Sequence, residues 1–377
     1  MRLTVNAIIL LSRWPAKAPS MTIFDKVLRF IENPAPDDFE AIALEVFGYQ
    51  FENVPAYHQY CLSRAIKPAR VRSSGEIPPV STIAFKYVQL ESRAEAITPA
   101  ARLFLTSGTT SGRDLRGRHL VLHPEIYRAS AVRHLAAMLF PDGRRTAMLT
   151  LHPTADKMPE SSLSQMISWC FEEFGAGPAW CAGGRSAVDT AGAIEFLRIN
   201  RSVPVCILGT TAALAALFDS LRAKTIRLRL AEGSRVMDTG GAKGQTVPLT
   251  ADEVIATAQA LLGIEPAHVI NEYGMTEMCS QLYDRTSFNS AIAGGDVRVK
   301  IAPPWLRVSA LDPASLAPLR EGKAGLLAFF DLANVGSVSA LLTEDVGTVN
   351  GGKVRIFGRA AAAEPRGCAL AIEQFQN

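Results

Sequence analysis

The chain has 377 residues, of which 48% are hydrophobic and 20% are charged. This composition is typical of a folded globular protein and excludes a wholly disordered chain. The 39 basic and 36 acidic residues leave a net charge of +3, which is too balanced to indicate a nucleic-acid-binding protein. The six cysteines form no Cys-x-x-Cys pair, so they predict neither a zinc site nor a disulfide framework.

Residues 1–20 combine a short apolar run with Asn6 and are only faintly similar to a signal peptide. We expect them to be an extension, either disordered or translated from an overcalled start site. Residues 22–66 have helical apolar spacing, interrupted at Pro34 and Pro36. Pro78 and Pro79 then lead into a short predicted strand at 83–86. No apolar run approaches the ~20 residues that a bilayer crossing needs, so we expect no membrane span.

From 101 to about 290 the pattern alternates between strands and helices. The predicted strands are 101–105, 146–151, 203–208, 234–238 and 268–272. The predicted helices are 124–140, 161–174, 187–200, 210–222 and 250–262, and the last begins with a capping box at Thr250 and Glu253. This alternation predicts an α/β fold with mostly parallel sheets flanked by helices and with ligands at the carboxyl ends of the strands.

After residue 290 the helical spacing stops and short β-like runs take over. They are 296–301, 305–311, 324–330, 338–342 and 353–357. The sequence therefore predicts an α/β core at 21–290, made of two intertwined α/β subdomains, and a β-rich subdomain with a short C-terminal tail at 291–377.

The strand predicted at 101–105 runs directly into a loop of glycines and hydroxyls. The loop begins with Thr106, Ser107, Gly108, Thr109 and Thr110, and Arg113 follows soon after. Glycines let backbone N–H groups approach a phosphate, hydroxyls add donors, and an arginine adds fixed charge. The loop predicts an anion site, although it lacks the Gly-Lys-Ser/Thr end of a Walker loop and a flexible surface loop has the same composition.

Three further stretches carry glycines and polar residues after predicted strands. They are Met237 to Gly244, Asn271 to Glu277, and Thr343 to Gly347, and Gly358-Arg359 comes after the last of them. The order Thr-Ser-Gly-Thr-Thr, Tyr-Gly-x-Thr-Glu, Thr-x-Asp-x-Gly and Gly-Arg resembles the adenylate-forming superfamily of acyl-CoA synthetases, peptide-synthetase adenylation domains and firefly-type luciferases. The resemblance implies an enzyme that uses ATP and Mg²⁺ to convert a carboxylic acid to acyl-AMP with release of pyrophosphate.

The resemblance assigns roles to residues of the second stretch. Glu277 occupies the slot of the magnesium ligand, and magnesium prefers carboxylate and phosphate oxygens. Thr276 occupies the slot of a hydrogen-bond donor to the α-phosphate. Tyr273, followed by Gly274, occupies the slot of an aromatic ring that stacks against adenine.

Further roles follow for the other stretches. Asp345 matches the aspartate that accepts hydrogen bonds from the ribose hydroxyls, since a carboxylate offers two acceptors to a cis-diol. Arg359 matches an arginine that reaches the ribose or a phosphate. Gly240 and Gly241 match a loop that lines the adenine and acyl pocket, and Lys243 adds a charge directed at the nucleotide. A glycine-rich turn with a solvated lysine remains the alternative for this last loop.

The chain departs from the superfamily pattern in two places. The family loop ends in Pro-Lys-Gly, whereas this one continues Ser111-Gly112-Arg113-Asp114. In the family a small C-terminal lid domain with a catalytic lysine follows the Gly-Arg, but this sequence stops at Asn377. We expect that domain to be absent, with its charge replaced by Arg113, Arg118, Lys243 or a partner protein.

This shortness resembles the acyl-protein synthetases of the bacterial bioluminescence fatty-acid reductase, of the LuxE type. Matching residues are Tyr49-Gln50, Tyr57, Ile77-Pro78-Pro79, Phe85-Lys86, the Thr239–Gly244 loop and Arg366 to Leu370. The resemblance implies a fatty acid as substrate and Cys368 as the residue that receives the acyl group. It also implies an acyl-accepting or reductase partner protein. A small buried core residue is the alternative role for Cys368.

Two other functions stay open at this point. One is direct transfer from the adenylate to CoA, to carrier pantetheine or to an amine, with Cys368 idle. The other is that of a non-catalytic nucleotide-binding subunit. Because ATP is required for activation, we expect a cytoplasmic protein.

Overall fold

The computed structural model of the protein describes residues 21–94, 97–106, 116–177, 180–184, 187–240, 249–289 and 298–360. The predictions for residues 1–20 lie outside these ranges. So do those for Ser107, Gly108, Thr109, Thr110, Arg113, Gly241, Lys243 and Cys368.

Three helices form the N-terminal part and confirm the helical spacing of 22–66. They are α1 (Ile23–Glu32), α2 (Phe39–Asn53) and α3 (Pro55–Ser63). The first begins at a capping box in which Thr22 and Asp25 satisfy each other's backbone N–H groups. The third begins with Pro55, whose fixed φ suits the first helical position.

The strand predicted at 83–86 is wrong. A two-residue strand, β1 (Val80–Ser81), comes first, and Thr82–Lys86 is a 3₁₀ helix. The Ser81 hydroxyl accepts the N–H of Ile83 and starts this turn locally, which a pattern of apolar residues does not reveal. The tyrosines of α3 anchor the preceding prolines, because Tyr57 and Tyr60 donate their hydroxyls to the carbonyls of Pro78 and Pro79 (3.0 and 2.9 Å).

The strand predicted at 101–105 is present as β2 (Arg102–Leu105), but it is not part of the parallel sheet. It pairs antiparallel with β3 (Arg118–Val121) in a separate two-stranded sheet. The sequence analysis missed β3 because its four residues stand between a glycine-rich loop and a strong helical pattern. The candidate phosphate loop is therefore the connection of a β-hairpin.

The alternating region then follows the predicted order, except that the short strand β5 was not predicted. Its elements are α4 (Pro124–Leu139), β4 (Ala147–Thr150), α5 (Ser162–Phe174), β5 (Trp180–Cys181), α6 (Thr190–Ile199), β6 (Val205–Thr210), α7 (Thr211–Ala223), β7 (Arg235–Thr239), α8 (Ala251–Leu262) and β8 (Val269–Tyr273). The predicted capping box of Thr250 and Glu253 is confirmed at the start of α8. Neighbouring strands from β5 through β4, β6 and β7 to β8 are all parallel.

The remaining strands extend the same sheet in antiparallel fashion. They are β9 (Leu282–Asp284), β10 (Lys300–Ile301), β11 (Leu306–Leu311), β12 (Ala324–Asp331), β13 (Ala340–Asn350) and β14 (Lys353–Arg359). The sheet order is β11-β12-β13-β14-β10-β9-β8-β7-β6-β4-β5, with β1 added beside β13. The α/β class is confirmed, and the sheet is mixed. The domain boundary near residue 290 stays a prediction.

Residues of the parallel strands alternate between two cores. Val205 and Ile207 of β6 belong to the cluster that contains α6, α7 and α8, whereas Cys206 and Leu208 belong to the cluster that contains α4 and α5. Because of this period of two, helices cover both faces of the sheet. In the part of the chain that the structure describes, no helix has both the length and the apolar character that a bilayer crossing requires.

Candidate active site

The structure joins two of the predicted motifs directly. Tyr273 ends β8, and its hydroxyl donates to Oδ2 of Asp345 on β13 at 2.6 Å, although the two residues are 72 positions apart. Burial and the nearby carboxylate raise the pKa of Tyr273 well above its ordinary value, so the hydroxyl keeps its proton and donates. The ring packs on Phe329 (5.9 Å between centroids), and an adenine that stacks on Tyr273 must use the other face.

Asp345 also faces the predicted arginine. It is the cross-strand partner of Arg359 in the antiparallel pair β13–β14, so the two side chains lie on one side of the sheet. Arg359 is about half exposed, and its guanidinium lies 3.7 Å from the Glu344 carboxylate. This exposed pair is weak, which leaves the arginine able to turn toward an anionic ligand.

The loop with Thr276 and Glu277 is held from behind through its backbone. His119 of β3 is bonded through Nδ1 to the carbonyl oxygen of Thr276 at 2.7 Å. Asn334 donates its amide to the carbonyl of Glu277, also at 2.7 Å. Both holding residues are buried, whereas Thr276 and Glu277 are partly exposed. The backbone is thus fixed while the loop's side chains keep access to the surface.

Two more buried side chains support this arrangement. Asp331, at the end of β12, accepts hydrogen bonds from the N–H of Cys279 (2.9 Å) and the hydroxyl of Ser280 (2.6 Å). Burial raises its pKa to about 6. Gln50 of α2 donates to the carbonyl of Asn334 at 3.1 Å. It therefore connects the N-terminal helices to the residue that holds the Glu277 carbonyl.

The phosphate-loop hairpin is closed at its base by residues at its two ends. The N–H of Gly117 donates to the Thr106 hydroxyl (2.8 Å), and the N–H of Thr106 donates to the Gly117 carbonyl (3.0 Å). Arg116 binds the carbonyls of Leu105 and Thr106, at 3.1 and 2.5 Å. A Cβ on Gly117 would lie 2.8 Å from the Thr106 methyl, so any larger residue would force Thr106 to shift. The side chain of Arg116 thus fastens the base of the loop.

The loop after β7 starts from a similarly fixed base. Thr239 donates its hydroxyl to the buried carboxylate of Glu272, its register partner on β8. Asp238, on the opposite face, accepts hydrogen bonds from Thr211 (2.7 Å) and Asn271 (2.8 Å). Gly240 has a φ of +89°, a conformation that favours glycine. The chain therefore turns sharply where the predicted Gly-Gly loop begins.

The described residues contain no group of three or more His, Cys, Asp or Glu side chains arranged to hold a metal. A magnesium ion that binds Glu277 would therefore take further oxygen ligands from phosphates and water, as Mg²⁺ commonly does. Glu277 fits this role because it is a partly exposed carboxylate on a fixed backbone. Its charge lies close enough to Tyr273 to contribute to the raised pKa of that residue.

The predicted site residues that the structure describes thus form one connected region. Tyr273 links to Asp345 and, by register, to Arg359; Thr276 links through His119 to the hairpin that begins at Thr106. Gly240 is connected to this region because it follows Thr239, whose hydroxyl donates to Glu272, the residue before Tyr273. The sequence analysis missed Asn334, Asp331, Gln50 and His119 as residues that support the site. Their buried hydrogen bonds join positions up to 289 apart, which no local pattern indicates.

Solved structures that are similar to this fold include adenylate-forming ligases. A structure of 2-hydroxyisobutyryl-CoA ligase with 2-HIB-AMP matches at a TM-score of 0.64 and 15% identity, over 88% of this chain and 70% of that chain. ATP-bound MatB from Rhodopseudomonas palustris matches at a TM-score of 0.48 and 17% identity, over 68% of this chain. This chain spans about half of MatB, 47% of its length. The fold is that of the adenylate-forming class.

Residues 25–376 match the family model described as "Acyl-protein synthetase, LuxE", and the chain belongs to that family. A relative from Aliivibrio fischeri, named long-chain-fatty-acid–luciferin-component ligase, is 22% identical over 353 residues, which is 88% of this chain and 87% of the relative. A relative of the same name from Vibrio harveyi is 37% identical over 79 residues, or 19% of this chain and 21% of the relative. The family places the protein among ATP-dependent acyl-adenylate-forming ligases.

Proposed function

We propose that this protein activates a fatty acid with ATP, forms acyl-AMP and pyrophosphate, and then passes the acyl group to the thiol of Cys368. The observation that carries the proposal is the hydrogen bond between Tyr273 and Asp345. It brings the candidate ribose acceptor to the end of β8, directly beside the loop with Thr276 and Glu277. The fatty acid is proposed because the named relatives are long-chain-fatty-acid ligases.

Each described residue has a defined task in this proposal. Asp345 accepts hydrogen bonds from the ribose hydroxyls, while Tyr273 orients the carboxylate and offers one ring face to adenine. Thr276 donates to the α-phosphate. Arg359 counters the negative charge that develops during attack by the fatty-acid carboxylate. Bound at Glu277, Mg²⁺ would neutralise phosphate charge.

The second step transfers the acyl group from the mixed anhydride to sulfur. The Cys368 thiolate attacks the acyl carbon, a carbon–sulfur bond forms, and the carbon–oxygen bond to AMP breaks, so AMP leaves with the electron pair. A thioester keeps the acyl group activated for a further acceptor. We propose that a reductase or another acyl-accepting protein is that acceptor, and that the enzyme works in the cytoplasm, where ATP is available.

The function is tested by ATP–pyrophosphate exchange with the purified protein, across carboxylic acids from acetate to palmitate and several aryl acids. We expect exchange that depends on the long-chain acids, because adenylation is reversible and needs no acyl acceptor. Exchange with aryl or short acids alone would contradict the fatty-acid assignment. ATP binding without exchange for any acid, even with candidate partners added, would contradict adenylation and favour a nucleotide-binding subunit.

Asp345→Asn is expected to raise the KM for ATP by about tenfold or more, because each hydrogen bond between a hydroxyl and a carboxylate contributes ~1.5–3 kcal/mol. The amide keeps the size of the side chain and one acceptor for Tyr273. Asp312→Asn is the matched control, since Asp312 is a partly exposed turn residue whose carboxylate accepts hydrogen bonds from the N–H and hydroxyl of Ser315. An unchanged KM in Asp345→Asn would remove this carboxylate from nucleotide binding.

A further inference from the structure

A buried histidine joins the β2–β3 hairpin to the loop with Thr276 and Glu277, to which the proposed function assigns the α-phosphate and magnesium. His119 is only 2% exposed and lies in the middle of β3. Its Nδ1 is 2.7 Å from the carbonyl oxygen of Thr276, 157 positions later in the sequence. A carbonyl can only accept a hydrogen bond, so Nδ1 carries the proton and donates.

His119 lies close to the base of the candidate phosphate loop, so its hydrogen bond connects that base to Thr276. His119 pairs with Phe104 of β2, Arg118 pairs with Leu105, and Thr106 bonds to Gly117 at the base of the loop. His119 is thus two register steps below the point where the hairpin opens into the candidate phosphate loop. One hydrogen bond and a short antiparallel ladder therefore connect Thr276 to that loop base.

Packing and burial fix the position and the charge of the imidazole. Phe85 packs edge-on against it, with ring centroids 5.5 Å apart and planes at 81°. Burial lowers the pKa of His119 to about 4, so the ring is neutral at physiological pH. It therefore adds no charge to the site and acts through geometry alone.

The Glu277 side of the contact is equally fixed. Asn334 holds the next carbonyl of the same loop, and Gln50 holds Asn334. The loop is consequently tied to the main body at Glu277 and to the hairpin at Thr276. His119 is the described side chain that bridges the hairpin and the loop.

We propose that His119 is a positioning residue that sets the spacing between the base of the β2–β3 hairpin and the Thr276–Glu277 loop, and so holds Thr276 and Glu277 in place for MgATP. The inference rests on the proposed function and extends it to a residue that touches no substrate. It predicts a defect in the use of MgATP that is larger than a lower folded fraction of the variant can explain.

The test compares His119→Leu, which removes the donor at similar size, with His119→Asn, whose amide nitrogen can replace Nδ1–H. His134→Leu is the matched control. His134 is 6% exposed, has a pKa lowered to about 4 by burial, and is bonded through Nε2 to the carbonyl of Ile301 at 3.1 Å. Its ring partners are Tyr283 and Trp305. The control therefore loses the same kind of buried hydrogen bond at another place.

Full-length variants are compared by ATP–pyrophosphate exchange at varied Mg²⁺ and by thermal unfolding. We expect His119→Leu to lower kcat, or to raise the Mg²⁺ needed for half-saturation, by about 10- to 100-fold. His134→Leu should lose activity only as its folded fraction falls, and His119→Asn should recover most of the loss. Equal defects in both leucine variants, or no recovery in a folded His119→Asn, would overturn the proposal.

Two further outcomes are separated in advance. If His119→Leu does not fold, His119→Asn is compared with His119→Gln instead. The longer side chain of Gln cannot place its amide at the position of Nδ1. Equal kinetic constants for the two variants would overturn the role of the hydrogen bond. Should the wild type show no exchange, the proposed function fails, and calorimetric binding of MgATP replaces the assay. An unchanged MgATP affinity in His119→Leu would then contradict the positioning role.

Discussion

Glu277→Gln is expected to lower acyl-AMP formation by about a hundredfold or more while the protein stays folded. The substitution keeps the size of the side chain and removes the charge that a magnesium ligand supplies. Because Asn334 holds the backbone carbonyl of Glu277, the loop should keep its position in the variant. The loss would therefore report on the carboxylate itself.

The measurement is ATP–pyrophosphate exchange over a range of Mg²⁺ concentrations, with circular dichroism and thermal unfolding as checks of the fold. Glu172→Gln is a suitable control, because Glu172 is exposed on α5 and pairs with Arg128 on the surface. A partial rescue of Glu277→Gln by excess Mg²⁺ would support direct ligation. A rate close to that of the wild type would exclude Glu277 from the mechanism.

Cys368→Ala is expected to abolish the acyl-protein adduct while ATP–pyrophosphate exchange continues. Exchange needs only the adenylation step, whereas the adduct requires a nucleophilic sulfur. Incubation with ATP and a fatty acid should raise the intact mass of the wild type by one acyl group. The same incubation should leave the mass of Cys368→Ala unchanged.

The other cysteines make this experiment specific. Cys61, Cys170, Cys206 and Cys279 are buried, and burial raises the pKa of each thiol, to about 12 for Cys61 and Cys206. Such thiols are poor nucleophiles at neutral pH, because the reactive form is the thiolate. Cys181 is the described cysteine that is partly exposed, which makes Cys181→Ala the matched control.

Three results are distinguished by the pair of variants. An adduct that vanishes only in Cys368→Ala supports the proposed acceptor. An adduct that vanishes only in Cys181→Ala moves the acceptor to the edge of the sheet at β5. No adduct in the wild type, together with normal exchange, would contradict a protein-bound thioester and favour transfer to CoA, pantetheine or an amine.

The sequence predicted those elements of the fold that are determined by residues close together in the chain. The apolar spacing of α1 and the capping box of Thr250 and Glu253 lie within one or two turns, so they appear in the sequence itself. The 3₁₀ turn at 82–86 and the strand β3 were missed for the opposite reason. A serine cap decides the first, and a partner strand across a long loop decides the second.

The sequence alone predicted the candidate site, because the order of its motifs resembles that of the adenylate-forming superfamily. From this order came Thr276 and Glu277, Asp345 and Arg359, and the adenylation chemistry. It also singled out Cys368.

The tertiary structure decided how these loops are held together. It placed Tyr273 against Asp345, tied Thr276 to His119, and locked Glu277 through Asn334 and Gln50. Each of these bonds joins residues far apart in the chain, and each is formed only when the helices and the sheet bury both partners. An unpaired polar group that is buried destabilises the fold, so each of these groups is paired with a partner when the chain folds. Because the partners lie far apart in the chain, no single stretch of sequence indicates the pairing.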